Sequence, residues 1–588
     1  MIDTNKLIDD YLGEAWWVKD NSNIDFSNMA LNNKISEAVI KHYWLTQVYT
    51  EDIRKAYERG LFHIHNLGHY TTYCVGWDIE DILLRGFKGQ PGRQSSSPAK
   101  HFDTALGHIY NFMYTLQGES AGAQALSNFD TYLAPFIRED GLTQREVDQN
   151  IQKFLFNMNV PTRVGGQQPF TNVTLDQQIP KFMENDQIII GGKYTVDTYG
   201  SYQDEMDMLN KAWWKQRIEG DADGRPQPFP IETLNVTKDF NWNDELLMEA
   251  ITKRGSPYFS NFINSDMSPE DVRSMCCRIR VNNAELIKRG GGFFGSNPLT
   301  GSIGVVTMNL PLMGYLASDE DRFFELLDFS LTIGKESLEM KRKLLEKRTV
   351  SKLYPYSMVY LEKIFERFGE YWKNHFSTLG LLGMNEGIRN LLGVNIVDKE
   401  GLKFSKKVLH FFRAKALEFQ KETGNMYNVE GTPAETTAYT LALNDLRKHP
   451  NIIHAGTRDR PYYTNSTQVP NNVEMGLTQQ LKHQDQLQPL YTGGTVFHIW
   501  NGEAIPDPEG TSKLLKRILS NVKMYYISYN PTTSICPSCG FMYGEHFTCP
   551  DCGRTCEVWT RITGYFSPLR QWNPGKRQEY EERPHFIF

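Results

Sequence analysis

Four cysteines near the C-terminus have the spacing of a metal site. Cys536 and Cys539 form one C-x2-C pair, and Cys549 and Cys552 form a second pair after nine intervening residues. Two close pairs of thiolates can complete a tetrahedral zinc site, and the glycine after each pair permits a tight turn. Four protein ligands leave no open coordination position, so we predict that the zinc is structural.

The same spacing leaves two other interpretations open. The pairs could form two disulfides or a redox-active C-x-x-C, although eight cysteines in 588 residues are too few for a disulfide scaffold. A zinc ribbon by itself would also be typical of a non-enzymatic protein that binds nucleic acid or another protein. Cys556 exceeds the tetrahedral count and is interpreted as a bystander thiol.

A glycine twelve residues after the last zinc-type cysteine indicates radical chemistry. Gly564 lies in the segment Arg561-Ile562-Thr563-Gly564-Tyr565, which resembles the glycyl radical signature of pyruvate formate-lyase and anaerobic ribonucleotide reductases. A radical on an α-carbon is shared with the flanking amide nitrogen and carbonyl, and only a residue without Cβ becomes planar there without crowding. Glycine also permits unusual backbone shapes, so a simple turn glycine is the alternative.

A glycyl radical is a storage form and needs a cysteine to relay it to the substrate. Met275-Cys276-Cys277-Arg278 supplies two candidates in mid-chain, before the glycine run at 290–292. We expect the relay cysteine at a buried loop tip, because the protein must exclude reactions that compete for a radical. Buried cysteines that only fill the core are common, and this is the alternative.

The composition indicates one large catalytic unit. With 588 residues and 40% hydrophobic residues, an α/β core can absorb several hundred residues without splitting. The net charge of −7 gives no reason to expect a nucleic-acid polymer as partner. The start has no positive region followed by an apolar core, and no run of about 18 apolar residues occurs, so we expect a soluble, cytoplasmic protein without a membrane segment.

The apolar patterns predict alternating helices and strands. Short β-branched or aromatic runs at 301–310, 493–500 and 522–530 predict buried strands. Apolar residues at helical spacing from Ser405 predict a half-buried helix that stops at Gly424, and 321–347 is also helical. Helices between such strands are typical of an α/β protein. A Gly/Pro-rich loop, GFKGQPGRQSSSP, is expected to separate an N-terminal helical region from the main body.

Nearly the whole chain resembles the anaerobic, or class III, ribonucleotide reductase family, with the recurrent segments in family order. These segments are SNFDTYLAPF, FNMNVPTRVGGQQPFTNVTLD, MCCR, GVVTMNLP, GTPAETTA, YTGGTVFH, the four-cysteine knuckles and RITGY. The resemblance implies a ten-stranded α/β barrel with a finger loop for the thiyl cysteine and a small C-terminal zinc ribbon and radical loop. We expect an N-terminal helical region with the first barrel elements, including Cys74, at 1–98. A catalytic barrel at 99–530, a zinc module at 531–556 and a radical loop and tail at 557–588 are expected to follow.

The resemblance also implies the roles of the cysteines. The cysteine directly before arginine, Cys277, would carry the thiyl radical, abstract the ribose 3′ hydrogen and lead to loss of the 2′ hydroxyl as water. Cys74 would help to deliver reducing equivalents from a facing strand; its spacing alone indicates only a core thiol. Members that use formate resemble this chain in a lone facing cysteine and in a methionine two residues before the radical cysteine, here Met275, so formate is the expected reductant.

Two further regions are implicated in nucleotide binding by the resemblance. Thr432, Glu435 and Thr436 lie in a loop whose amides and hydroxyls suit phosphate oxygens, so we expect them near a ribonucleoside triphosphate substrate. Lys100, His101 and Asp103 open a helix that resembles the region where a dNTP or ATP effector binds at a homodimer interface. Ordinary helix-surface charge is the alternative for these three residues.

The family pattern also implies a partner, and the sequence departs from the pattern in two places. Radical installation requires a radical S-adenosylmethionine activase with an iron–sulfur cluster. The asparagine expected before the GVV strand is replaced by Ser302, and Asn309 lies later in the strand. No ATP-cone is recognised, which puts control of total activity by dATP in doubt. The rivals are a pyruvate formate-lyase-like acyltransferase and, more remotely, a non-enzymatic zinc-ribbon protein.

Overall fold

The computed structural model describes residues 2–13, 26–161, 167–265, 299–502 and 506–587, and the backbone of 272–274 and 280–282. Met275, Cys276 and Cys277 lie outside the described residues, so the structure does not place the predicted relay cysteine. In the part of the chain that is described, no helix is long and apolar enough to cross a membrane.

The strands are numbered in chain order. They are β1 (Phe62–Ile64), β2 (Cys74–Trp77), β3 (Gln124–Leu126), β4 (Thr171–Leu175), β5 (Gln187–Ile190), β6 (Lys193–Thr198), β7 (Ile231–Val236), β8 (Tyr258–Asn261), β9 (Val272–Ser274), β10 (Arg280–Asn282), β11 (Gly301–Asn309), β12 (His375–Leu382), β13 (Tyr427–Glu430), β14 (Ala455–Gly456), β15 (Pro461–Tyr462), β16 (Phe497–Trp500), β17 (Tyr526–Asn530), β18 (Thr533–Cys536), β19 (Gly540–Tyr543), β20 (Glu557–Arg561) and β21 (Phe566–Pro568).

The helices lie between these strands. The α-helices are Thr4–Leu12, Asn28–Tyr43, Glu51–Arg59, Ile79–Arg85, Phe102–Leu116, Phe129–Glu139, Gln144–Asn159, Gln203–Glu219, Glu245–Arg254, Leu310–Leu316, Glu320–Val350, Pro355–Tyr360, Glu362–Phe368, Met384–Leu392, Lys399–Thr423, Thr436–Lys448, Leu477–Gln484, Pro508–Asn521 and Pro574–Glu581. Short 3-10 turns occupy Gln117–Glu119, Tyr199–Ser201, Gln488–Leu490 and Leu569–Gln571, and a π-helical turn occupies Trp44–Val48.

Ten strands form a closed barrel in two parallel groups. β2, β3, β4, β7 and β8 run parallel to one another, as do β11, β12 and β13, and also β16 and β17. Antiparallel pairs, β11 with β2 and β17 with β8, join the groups. The wall closes where Gly493 N–H donates to Val429 C=O at 2.7 Å and Gly431 N–H donates to Gly494 C=O at 2.7 Å. The predicted ten-stranded α/β barrel is confirmed.

Alternation along the strands separates a polar barrel interior from an apolar outer wall. In the first group, Val173 and Leu175 of β4 belong to the core shared with the surrounding helices, whereas Asn172, directly before Val173, hydrogen-bonds Thr233 of β7 at 3.1 Å. In the second group, Val306, Leu379 and Val429 pack outward in a second core. The interior is therefore lined by small and polar side chains that suit a polar substrate.

Predicted elements agree with the structure except in their bounds. The helix expected from Ser405 spans Lys399–Thr423 and ends at Gly424, whose φ is 71°. The strand expected at 301–310 is β11. The strand expected at 493–500 begins only at Phe497, because Gly493 and Gly494 make the bonds that close the barrel. The first strands, β1 and β2, precede the Gly/Pro-rich loop.

The strand expected at 522–530 begins at Tyr526. The carbonyls of Val522 and Met524 accept hydrogen bonds from the Asn261 side chain instead of a neighbouring strand. Side chains therefore replace the sheet ladder over the first residues of that run.

Candidate active site

The C-terminal sheet joins the predicted metal site to the predicted radical loop. Its four strands follow the order β19-β18-β20-β21. Cys536 ends β18, and β18 pairs with β20 along Thr533↔Trp559 to Ile535↔Glu557. β20 and β21 form an antiparallel hairpin with Gly564 in its turn. Two hairpins in one small sheet therefore carry the two motifs that are adjacent in sequence.

The four predicted metal ligands converge. The Sγ atoms of Cys536, Cys539, Cys549 and Cys552 all lie within 4.8 Å of one another, and all four thiols are free rather than disulfide-bonded. A tetrahedral zinc with Zn–S bonds near 2.3 Å needs sulfurs roughly 3.8 Å apart, so this donor set fits the ion. The glycines after the pairs, at 540 and 553, have φ of 80° and 72°, the conformation expected for the turns of the site.

Cys556 lies beside this cluster without belonging to it. Its thiol is buried in a small group with Cys536 and Cys549, and it donates to the carbonyl of Arg554 at 3.6 Å. Burial raises the pKa of Cys556 to about 11. This thiol is therefore expected to stay protonated, in agreement with a bystander.

Several hydrogen bonds fix the turn at Gly564. The Ile562 N–H donates to the Tyr565 carbonyl at 3.0 Å and closes the hairpin. Arg583 donates to the carbonyls of Arg561 and Ile562 at 2.8 and 2.7 Å. Arg583 is buried, so these bonds are shielded from water and hold the turn in one position.

Gly564 itself lies between two barrel elements. Its N–H donates to Oε1 of Glu435 at 3.2 Å, and its carbonyl accepts from the hydroxyl of Tyr258 at 2.7 Å. Glu435 belongs to the loop after β13, and Tyr258 begins β8. The turn therefore reaches from the C-terminal sheet to the barrel and is contacted on both sides.

No steric or conformational reason explains a glycine at this position. The φ of Gly564 is not positive, so this angle does not require a glycine. A Cβ added here would meet only Oε1 of Glu435, at 3.5 Å, an ordinary contact. The alternative of a simple turn glycine predicts a positive φ or a close approach, and the geometry provides neither.

Cys74 lies inside the barrel wall, at the start of β2. It is fully buried and packs with Ala123, Ala125, Phe376 and Met426. Cys74 is disulfide-bonded.

One aromatic side chain connects the Cys74 cluster with the radical turn. Phe170 packs against the cluster that contains Cys74 and against a second cluster that contains Tyr258 and Tyr565. Its ring lies 5.4 Å from the ring of Tyr565 in an edge-to-face arrangement. Cys74 and the turn thus lie on one continuous packed surface, separated by Phe170.

Ser302 stands directly opposite Cys74 in the antiparallel register of β11 and β2. Its hydroxyl is within 2.8 Å of the Thr378 hydroxyl, so the position expected for asparagine remains polar. Asn309 does not replace it, because its amide donates to Gly60 at 2.9 Å and to Asp445 at 2.7 Å. Burial raises the pKa of Asp445 to about 6, and the pair is part of the outer layer of the barrel.

The loop predicted to bind substrate lies beside the radical turn. Thr432 and Thr563 line the same small cavity of about 60 Å³. The hydroxyls of Thr432 and Thr436 are buried and have no hydrogen-bond partner among the residues that the structure describes, and Thr436 begins the 13-residue helix Thr436–Lys448. Unpaired buried hydroxyls at a helix N-terminus suit the oxygens of a phosphate group.

The residues predicted to bind an effector lie at the start of a helix, far in sequence from the radical turn. His101 precedes helix Phe102–Leu116, as expected, and its Nδ1 lies 2.7 Å from a carboxylate oxygen of Asp140. Lys100 packs beside Gly191, between β5 and β6. Lys100, His101 and Asp103 are exposed, so they form a surface rather than a closed pocket.

With this geometry established, comparison with known proteins decides the family. The family profile described as anaerobic ribonucleoside-triphosphate reductase matches residues 20–586. The chain belongs to this family. An anaerobic ribonucleoside-triphosphate reductase of Haemophilus influenzae is 26% identical over 600 residues, covering 93% of this chain and 80% of the relative.

Solved structures agree on the fold of the reductase. An anaerobic ribonucleotide reductase superposes with a TM-score of 0.77 at 21% identity, over 99% of this chain and 93% of that one. The enzyme from Thermotoga maritima in complex with dATP and CTP gives a TM-score of 0.75 at 22% identity, over 98% and 94% of the two chains. The protein is therefore an oxidoreductase, and neither the acyltransferase nor the non-enzymatic alternative is favoured.

Two contacts of the reductase turn had no counterpart among the sequence predictions. Tyr258 and Arg583 bind the turn through its carbonyls, but each lies outside the motifs that point to radical chemistry. No periodicity or spacing distinguishes a tyrosine that begins a strand or an arginine near the C-terminus from ordinary core residues.

Proposed function

We propose that this reductase stores its radical on Gly564 and passes it to a thiyl radical on Cys277 for reduction of a ribonucleoside triphosphate. The observation that supports this most is that Gly564 has neither a positive φ nor a close neighbour that excludes Cβ. Its glycine identity is then explained by radical chemistry, since an α-carbon with a side chain is crowded when planar. Cys277 is proposed as the thiyl radical residue on the resemblance to the family.

The proposed reaction divides the work among several positions. The thiyl radical of Cys277 removes the ribose 3′ hydrogen, and Cys74 helps to supply reducing equivalents inside the barrel. Thr432, Glu435 and Thr436 bind the substrate, and the unpaired hydroxyls of the two threonines support contacts to phosphate oxygens. Anaerobic turnover of CTP by activated protein tests the whole scheme; failure to form dCTP with any reductant would contradict it.

Activation requires a second protein. A radical S-adenosylmethionine activase with an iron–sulfur cluster abstracts the hydrogen atom from Gly564, because the clustered cysteines of this chain are assigned to zinc. The turn is part of the C-terminal sheet rather than the barrel wall, which supports delivery of the turn to an activase by movement of a small unit.

We propose zinc as the ion of the four-cysteine cluster. Four thiols within 4.8 Å match its preference for four sulfur ligands in structural sites. Zinc would tie β18 to the loop that carries Cys549 and Cys552, and so fix the sheet that holds the radical hairpin. The module at 531–556 and the radical loop at 557–588 would then act as one unit attached to the barrel at 99–530. The region 1–98 contributes Cys74 to that barrel.

Loss of zinc is expected to prevent radical installation without unfolding the barrel. In Cys549→Ser the zinc content should fall from about one per chain to nearly zero, because a structural site needs all four ligands. The barrel has its own two cores, so the main thermal transition should remain. Metal analysis, calorimetry and electron paramagnetic resonance after activation check these expectations.

Cys556→Ser is the matched control for that experiment. It removes a thiol in the same buried group but not one of the four ligands, so zinc content and the radical signal should be retained. Unfolding of the whole chain upon zinc loss would contradict a small appended module.

We propose that nucleotides also act as effectors on a homodimer. The Thermotoga maritima relative has been solved with dATP and CTP together, and in other crystals of it dATP occupies a specificity site. Lys100, His101 and Asp103 form an exposed helix start that supports an effector site at a dimer interface. The cytoplasm is the proposed location, on the resemblance to the family.

Formate is the proposed reductant, on the resemblance of Cys74 and Met275 to formate-using members. The disulfide at Cys74 favours the rival, a thioredoxin-type protein, because such a donor works by thiolate attack on a disulfide. Activated enzyme should therefore be given CTP with either formate or a thioredoxin system under strict anaerobiosis. We expect dCTP and labelled carbon dioxide in equal amounts with formate. Formation of dCTP with thioredoxin alone would reverse this choice and leave the reductase intact.

A further inference from the structure

We propose that Glu435 and Tyr258 are positioning residues that stabilise the radical through hydrogen bonds to the two peptide groups around Gly564. This inference rests on the proposed function in one respect, that Gly564 carries the radical. It gives Glu435 a role apart from the substrate contact expected from its loop, and it gives Tyr258 a role that no sequence motif indicated.

The contacts lie on opposite sides of the α-carbon. The carboxylate of Glu435 accepts from the Gly564 N–H at 3.2 Å, on the side of the preceding peptide. The hydroxyl of Tyr258 donates to the Gly564 carbonyl at 2.7 Å, on the side of the following peptide. Both residues are at least nine-tenths buried, so water competes little for either bond.

Formation of the radical changes the strength of these two hydrogen bonds. The 5′-deoxyadenosyl radical of the activase takes one hydrogen atom from Cα and becomes 5′-deoxyadenosine, which leaves a neutral radical on Gly564. The unpaired electron is delocalised as the amide nitrogen donates electron density and the carbonyl oxygen accepts it. The N–H therefore becomes a better donor and the oxygen a better acceptor than in the unmodified peptide.

Both partners have the polarity that this change favours. A carboxylate is the strongest acceptor that a side chain offers to an N–H, and a phenol is a good donor to a carbonyl. Bonds that are stronger in the radical than in the unmodified glycine shift the equilibrium toward the radical.

The neighbouring arginine does not duplicate the role of Tyr258. Arg561 approaches the same carbonyl only at 3.5 Å, and its other nitrogens donate to Asn530 at 2.5 Å and to Gly255 at 2.7 Å. The guanidinium instead stacks 4.2 Å from the Tyr258 ring, which holds the phenol against the turn. Tyr258 is thus the close donor to the carbonyl.

The first test is spectroscopic. Activated wild-type protein in D2O should show, by electron–nuclear double resonance, one exchangeable deuteron coupled through the carbonyl oxygen and one on the amide nitrogen. The carbonyl-side deuteron should be absent in Tyr258→Phe. Wild-type protein with a glycyl doublet but no carbonyl-side deuteron would overturn the role of Tyr258, whereas a wild type without any doublet would instead contradict the proposed function.

The second test measures radical lifetime. In Glu435→Gln and Tyr258→Phe, the doublet should decay anaerobically about tenfold faster, the factor for the ~1.4 kcal/mol of one hydrogen bond. Tyr525→Phe and Glu582→Gln are matched controls, because their polar atoms contact Pro489 and Tyr462 rather than Gly564. Unchanged decay and unchanged hyperfine splitting in both test variants would overturn the inference.

A variant that accumulates no radical is resolved by the activase product. If 5′-deoxyadenosine forms in the wild-type amount while no doublet persists, the radical is made and lost, as the inference expects. If 5′-deoxyadenosine fails to form although zinc content and thermal stability are unchanged, the residues serve activase docking instead, and the stabilising role is wrong. A shorter acceptor in Glu435→Asp should restore part of the lifetime that Glu435→Gln loses.

Discussion

Gly564→Ala is expected to remain folded, retain its metal and yield no radical signal and no detectable deoxynucleotide. The added Cβ would meet only Oε1 of Glu435 at 3.5 Å, and the backbone does not need a positive φ. Replacing glycine by alanine at a compatible position changes the free energy of unfolding by only about 1 kcal/mol or less. Calorimetry, metal analysis and electron paramagnetic resonance on the same sample separate stability from chemistry.

The matched control is Gly553→Ala, a glycine with φ of 72° in the metal turn. Alanine is strained in that conformation, so this variant should lose stability, whereas chains of it that retain the metal should still give the doublet of Gly564. A normal doublet in Gly564→Ala would place the radical elsewhere. Unfolding of Gly564→Ala would show that the turn needs glycine for structural reasons.

Cys277→Ser should abolish turnover while the glycyl radical still forms. A serine O–H bond is too strong for hydrogen-atom exchange with the glycyl radical, so the relay stops and the stored radical persists. Cys276→Ser is the control, and it should retain turnover because the family position directly before arginine is Cys277. Product formation and the doublet, measured on the same activated samples, distinguish loss of relay from loss of activation.

Two other outcomes of these substitutions would contradict the assignment of Cys277. If Cys276→Ser loses turnover and Cys277→Ser retains it, the relay cysteine is assigned one residue too late. If both retain turnover, the radical reaches the substrate by another route, and the thiyl step is wrong.

The sequence predicted which helices and strands form more accurately than it predicted where they begin and end. The periodic run around Ser405 identifies a helix and Gly424 its end, because 3.6-residue spacing and a left-handed cap are local signals. The start of β16 at Phe497 was not predictable, because Gly493 and Gly494 are occupied by the bonds that close the barrel. Barrel closure joins segments far apart in sequence, and no local pattern records it.

In the candidate site, too, the local motifs were predictable from the sequence and the long-range contacts were not. The zinc-type cysteines and Gly564 were found because their spacing lies within a short stretch of chain. The contacts of Gly564 with Glu435 and Tyr258 join residues 129 and 306 positions apart, so only the folded barrel shows them. The exposed start of helix Phe102–Leu116 was predicted correctly, but its use by an effector depends on a second chain and stays a prediction.

The most direct measurement is electron paramagnetic resonance of the wild-type protein after anaerobic activation, in samples grown with ordinary glycine and with glycine deuterated at Cα. A radical on Gly564 gives a doublet from its single α-hydrogen, and deuteration should collapse that doublet while the activated protein still converts CTP to dCTP. A doublet that is unchanged by deuteration, or the absence of any signal in protein that makes dCTP, would contradict the account.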